Sequence, residues 1–210
     1  GGIGIAEPLS ECGGASSVGK IDQMTETESR RVVIDASVAG SAGGEEATHP
    51  TSINCTNFLK VFYLNTDLNM VMTLEIRGEW KRHRSNFAYT FLVNMLSEDR
   101  IYSPEEDDLL EIRKLKSKMD PISLRKKLRE ELEKDFILIE AALATDKSVV
   151  SLDKIRKRFV KICHEEELED LKDIVWLNPD KNADDALSWL KDGANPVEKY
   201  KLGFVDQRGG

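Results

Sequence analysis

Four carboxylates fall where the chain changes from one element to the next. Asp35 ends the apolar run Val32-Val33-Ile34, Glu79 lies in the helix after a second strand, Asp135 heads an apolar helix, and Asp153 ends Val149-Val150-Ser151-Leu152. Glu75 stands four residues before Glu79 on the same helix face, so either could fill the second position. Read singly, each has an ordinary use: an Asp after a strand starts a turn or caps a helix, and a Glu decorates a helix surface. Read together, they need a cation, because crowded carboxylates raise one another's pKa values unless a positive charge neutralises them. Without buried Lys or Arg matched to each, the cluster implies a divalent metal, and oxygen-only donors select Mg²⁺ or Mn²⁺. Such ions activate a water and stabilise the leaving oxygen in a phosphodiester displacement, with two-metal sites spaced roughly 3.5 to 4 Å. Hydrolysis of that kind needs no protein nucleophile.

The elements that must position these acids follow from the apolar pattern. Val32-Val33-Ile34 reads as a buried parallel strand that delivers Asp35 and Ser37 at its carboxyl edge, where open α/β sheets form ligand crevices. Met70–Thr73, Ser148–Leu152 and Ile174–Leu177 read as further strands, the last ended by Asn178-Pro179. A helix is predicted from Ile53 to about Tyr63, capped by Thr51 or Ser52, and another from Leu74. Asn86–Leu96 carries Phe87, Phe91, Leu92 and Met95 as a core stripe, and Glu105–Met119 is amphipathic until Asp120-Pro121 breaks it. Ile122–Ala144 reads as one or two helices, and a basic helix from Lys154 turns Ile155, Phe159, Ile162 and Cys163 inward. Ala183–Lys191 is a short helix stopped by Gly193 and followed by a polar tail. Gly40–Pro50 reads as a glycine-rich loop, but its Gly-Glu-Glu lacks the Gly-Lys-Ser/Thr ending of a phosphate-cradling loop. Strands alternating with helices predict an α/β fold, three layers α/β/α around a central, mostly parallel sheet.

With 210 residues, 40% hydrophobic and 32% charged, the chain suffices for one packed domain with tails. Residues 1–29 are rich in Gly and Ser, read as a disordered leader or remnant before a start near Met24, and 30–178 form the domain, with 179–210 a C-terminal helix and tail. No run is long enough for a membrane helix and no signal pattern opens the chain, which implies a cytoplasmic protein with no membrane partner. Cys12, Cys55 and Cys163 are odd in number and scattered, fitting reduced packing thiols. The net charge of −8 argues against nonspecific coating of nucleic acid, yet the charge is segregated. Arg77, Lys81, Arg82, His83 and Arg84 form one basic cluster, Arg125, Lys126, Lys127 and Arg129 a second, and Lys154, Arg156, Lys157, Arg158 and Lys161 a third. Any one cluster reads as a solvated helix face; three beside acidic strand ends fit a phosphate track, with Arg82, Arg84, Arg156, Lys157 and Arg158 as RNA contacts.

Val33-Ile34-Asp35-Ala36-Ser37-Val38, then Glu79, then Asp135-x-x-Leu138-x-x-Ala141-Ala142-Leu143, then Val149-Val150-Ser151-Leu152-Asp153 resembles the PIN-domain ribonucleases, the family of the VapC-type toxins. The resemblance covers roughly residues 31–178 and is most specific from Asp135 to Asp153. It implies a PIN-like fold and a Mg²⁺- or Mn²⁺-dependent endonuclease acting on RNA, often as a homodimer, with a small antitoxin-like protein as partner. Carried over by position, Asp35, Glu79, Asp135 and Asp153 are the catalytic, metal-binding acids; Ser37 orients the first of them and Ser151 neighbours the last. The glycine-rich loop and the charged helices over residues 97–130 depart from a compact toxin. A haloacid-dehalogenase phosphatase needs a second Asp where Ser37 stands, and a receiver domain needs a phosphoacceptor Asp that Met70–Thr73 does not supply. The competing reading is a PIN-like scaffold with an incomplete metal site, serving as an RNA- or protein-binding module.

Overall fold

The computed structural model describes residues 29–118, 126–152, 154, 156–165 and 169–204, the side chains of 114–134, 162, 164 and 165 excepted. Among the described residues five strands form one sheet in the order β3-β2-β1-β4-β5, every neighbouring pair parallel. They are β1 (Arg30–Ile34), β2 (Leu68–Val71), β3 (Ile101–Tyr102), β4 (Ser148–Val150) and β5 (Val175–Leu177). Val32, Val33 and Ile34, Val149 and Val150, and Val175 to Leu177 are all buried, as a parallel sheet covered on both faces requires. Each such side chain taken from water contributes about 1.5–3 kcal/mol, which is why continuous apolar runs hold the centre of the sheet.

The described helices are α1 (Ala36–Ser41), α2 (Pro50–Leu64), α3 (Leu74–His83), α4 (Asn86–Ser97), α5 (Glu106–Lys118), α6 (Lys126–Leu143), α7 (Arg156–Glu165), α8 (Glu169–Lys172) and α9 (Ala183–Lys191). Among them α2 packs on α1, α4 and α9, whereas α6 packs on β1, β4 and α8. β1 to β3 advance in one direction across the sheet, and the chain then returns past β1 to β4 and β5 on the other side, so the right-handed crossovers that parallel sheets favour put the two sets of helices on opposite faces. The three-layer α/β/α architecture follows, and the strand order reverses direction between β1 and β4. No described helix is long and apolar enough to cross a membrane.

Several boundaries differ from those the sequence predicts. The stretch read as a loop from Gly40 is helical through Ser41 and forms a 3-10 turn over Gly44–Glu46. Helix α2 begins at Pro50 with His49 in the capping position and no side-chain cap, ahead of Thr51 and Ser52, because Pro suits the first helical position, where an N–H has no partner within the helix. The expected polar tail after Gly193 instead returns to the core: Ala194, Tyr200 and Leu202 are buried, and Lys201 bridges Val175 antiparallel. Trp189 and Leu190 of α9 join the same core, and Asn65 donates to the Leu190 carbonyl at 2.8 Å. Strand β3 has no counterpart among the predicted strands. The Asp120-Pro121 break and residues 1–28 lie outside the described residues.

The start of β1 is tied to the loop before β4 by Asp146. It accepts from the Arg31 backbone N–H at 2.7 Å and from the Arg31 guanidinium at 2.8 and 3.2 Å. Burial alone would raise the Asp146 pKa, but the hydrogen bonds and charge of Arg31 outweigh it and hold the carboxyl below its usual 3.8. A carboxyl depressed on folding contributes its full stabilisation above its unfolded pKa and loses it as pH falls through the lowered folded value. Asp146→Asn should therefore lower the urea midpoint at pH 7, and its penalty should shrink steadily as the pH is taken below about 4. A penalty independent of pH would remove the ionised pair from the account.

Candidate functional site

The end of β1 and the end of β4 meet at the point where the strand order reverses. Ile34 pairs with Val150, so Asp35 and Ser151 stand side by side one residue beyond their strands, and the Asp35 N–H donates to the Val150 carbonyl at 2.9 Å. Ligand crevices in open parallel sheets form at such points. Asp35 occupies the position before α1 but makes no capping hydrogen bond with its side chain. The carboxylate is used otherwise: its Oδ2 accepts from the Ser151 hydroxyl at 2.8 Å and from the Ser37 hydroxyl at 2.5 Å. Ser37 in turn accepts from the Leu152 backbone N–H at 3.2 Å, so the segment leaving β4 orients the hydroxyl that orients Asp35. Oδ1 of Asp35 takes part in no hydrogen bond among the described residues.

A cavity of about 490 Å³ opens here, and Asp35, Glu79 and Asp135 all line it. They come from the end of β1, from α3 and from α6, and Ile137 and Leu138 supply an apolar wall. Helix α3 is fixed by the Thr73 hydroxyl, which accepts from the Ile76 N–H at its start, and by Trp80, fully buried, whose indole N–H donates to the Ile34 carbonyl at 2.8 Å. One turn of helix thus ties Glu79 to the residue before Asp35. Gly40 allows α1 to approach α3 closely, since a Cβ there would stand 2.8 Å from the His83 carbonyl oxygen.

The two candidates for the second acid part company. Glu79 faces the cavity and pairs with Arg82 and, at 3.4 Å, with His83 of its own helix. Glu75 is instead held by Arg113 at 3.1 Å, a guanidinium that also binds Glu106 at 2.8 Å and the buried Glu140 at 3.3 Å. Ser151, expected beside the last acid, spends its hydroxyl on the first. Asp153 lies outside the described residues. Among the described residues, no three His, Cys, Asp or Glu side chains form a group able to hold a metal ion.

In sequence His83 stands only as part of a basic cluster. It lines the acid cavity, and the signal that could have found it is its spacing of four from Glu79. Of the expected RNA contacts, Arg82 is engaged by Glu79, Arg84 lies 4.6 Å from the Tyr89 ring centre, and Lys157 and Arg158 are exposed. The cluster around Arg125–Arg129 lies where no side chain is described. Thiolate chemistry has no support at Cys55 or Cys163, because burial pushes their pKa values up to about 12 and about 11. Set against protein-family models, curated proteins and solved structures, the chain gives no match in any of the three comparisons.

Proposed function

We propose that this chain is a Mg²⁺- or Mn²⁺-dependent endoribonuclease of the PIN-domain kind, hydrolysing RNA phosphodiesters in the cavity lined by Asp35, Glu79 and Asp135. One observation carries the reading: three acids from remote parts of the chain line one cavity at the switch point of a parallel sheet. The donor chemistry fits a hard cation, being carboxylate oxygen throughout, and Asp35 keeps one oxygen outside its clamp of hydroxyls. Asp35, Glu79 and Asp135 do not by themselves form a metal-holding group among the described residues, so Asp153 would have to complete the set that holds the ion, whose chemistry would be an activated water and a counter-charge for the leaving oxygen. The protein's own part is positional. Ser37 and Ser151 fix the rotamer of Asp35, Trp80 fixes the helix that bears Glu79, and Ile137 and Leu138 limit water on one wall. Arg82, Arg84, Arg156, Lys157 and Arg158 draw the polyanion toward the sheet edge. The resemblance extends the proposal to a cytoplasmic homodimer with a small antitoxin-like protein as partner.

Purified protein with Mn²⁺ should cut single-stranded RNA internally, and chelation should stop the cutting, as read from fragment patterns on a denaturing gel. A second reading, a PIN-like scaffold that binds RNA or protein without cutting, is favoured by the pairing of Glu79 with Arg82 and His83 on its own helix. RNA binding without cleavage under any divalent ion would decide for that module.

A further inference from the structure

A second cleft, of about 350 Å³, is lined by Leu177 and Asn178 at the carboxyl end of β5. Lys154 and the first turn of α7 form another wall, and the turn before α9 and the segment after it close the rest. Among the described residues, Lys154, Arg156, Lys157, Lys181 and Lys199 line it, with Asp185 as the one carboxylate. That carboxylate is already engaged, accepting from the Tyr200 hydroxyl at 2.8 Å and pairing with Lys199 at 3.1 Å. Among the described residues, Arg156, Lys157 and Lys181 have no carboxylate partner in the cleft.

Two groups in it make the charge specific. Arg156 is half-buried, and among the described residues its guanidinium meets only the Lys201 carbonyl, at 3.3 Å; burial without a carboxylate holds its pKa below the ordinary value. A guanidinium offers five donors, so most of its hydrogen-bonding capacity is left for a ligand. Trp176, 2% exposed, also lines the cleft, and its indole N–H has no hydrogen-bond partner among the described residues. Buried donors in folded proteins nearly always have an acceptor, so an unmatched one beside Arg156, Lys157 and Lys181 points to an anion with several oxygens.

We propose that this cleft is a phosphate-binding subsite that grips a phosphodiester of a single RNA strand whose neighbouring linkages lie across the acid cavity. It rests on the nuclease reading only for the identity of the polymer. Strands β1 and β5 are separated by β4 alone, so their ends stand roughly 10 Å apart along one sheet edge, a distance that a few nucleotides of extended strand cover. The subsite would set which linkage reaches the acids, and it adds Lys181, Lys199 and the Trp176 N–H to the basic residues legible in the sequence.

The test is binding of a fluorescent single-stranded oligoribonucleotide to the full chain, with EDTA present, at several salt concentrations. Arg156→Gln is expected to weaken binding about tenfold, and the exposed pair Lys157→Ala with Lys181→Ala by a similar factor, the latter guarding against a folding defect in the former. For each phosphate contact removed, the slope of log affinity against log salt should fall by about 0.7. Unchanged affinity and slope in the Lys157→Ala, Lys181→Ala protein would overturn the subsite. A strand that binds only when it ends in a 5′-phosphate monoester would overturn it too, by showing a terminal-phosphate pocket. If the wild type cuts no RNA while these variants still lose affinity, the nuclease reading fails and the subsite stands; normal cutting with unaltered affinity gives the reverse.

Discussion

Asp35→Asn should reduce Mn²⁺-dependent RNA cutting by about 10²- to 10³-fold or more while leaving the fold and metal-free RNA binding intact. The substitution is nearly isosteric, and the surroundings dictate how the amide will lie. The hydroxyls of Ser37 and Ser151 both donate to Oδ2, so an asparagine places its carbonyl oxygen there and turns its NH₂ to the side where Oδ1 now stands. A cation loses an anionic ligand and meets a pair of N–H donors in its place. The stability of β1 does not depend on the lost charge, because Asp35 joins the sheet through its backbone N–H to the Val150 carbonyl. Cleavage rate, unfolding midpoint and affinity in EDTA, measured on one preparation, separate these effects. A variant that cuts at the wild-type rate would remove Asp35 from the chemistry, and with it the proposed nuclease.

What the sequence discloses about this site has a clear physical limit. Val32-Val33-Ile34 announces a central parallel strand because burial on both faces tolerates only apolar side chains, and that alone places Asp35 at the carboxyl edge. The choice between Glu75 and Glu79 is not local: helical spacing puts both on one face, and the residue that separates them is Arg113, 38 positions on, which claims Glu75. Ser151 is similar. Its neighbourhood in sequence is Asp153, but the β1–β4 register sets it beside Asp35, and register is a long-range property. Strand β3 escapes notice for another reason, since two residues carry no alternation to read, and Asp99, with φ of 55°, turns the chain into it. The cleft beside β5 combines residues from four separate segments, and only the cluster at Lys154–Lys161 is visible as a charge run.

The largest loss of stability should come from Arg100, a residue with no part in the proposed chemistry. Its side chain is 8% exposed and works as a bracket at the end of α2. One guanidinium nitrogen donates to the Asn65, Leu68 and Phe62 carbonyls at 2.7, 2.9 and 3.2 Å, the second to the Tyr63 carbonyl at 2.8 Å, and Nε to Leu68 at 3.1 Å. The last carbonyls of a helix have no partner within it and carry partial negative charge, so a cation there satisfies acceptors and interacts favourably with the helix dipole. The pairing with Glu98 at 3.0 Å adds less, because that carboxylate is 39% exposed and screened by water. Arg100→Met keeps much of the volume but takes the guanidinium donors from four carbonyls, of which Phe62 and Asn65 keep the Asn65 and Leu68 backbone N–H groups while Tyr63 and Leu68 lose theirs, at a cost of about 3–5 kcal/mol. In a domain of this size that corresponds to a fall in Tm of roughly 10 °C, with Arg100→Lys between the two because an ammonium has three donors in place of five. Arg100 joins β2 through the Met70 N–H at 3.0 Å, and β2 separates it from β1, so activity per folded molecule should stay at the wild-type level. An Arg100→Met protein that melts within about 2 °C of the wild type would show that water serves these carbonyls as well as the guanidinium does.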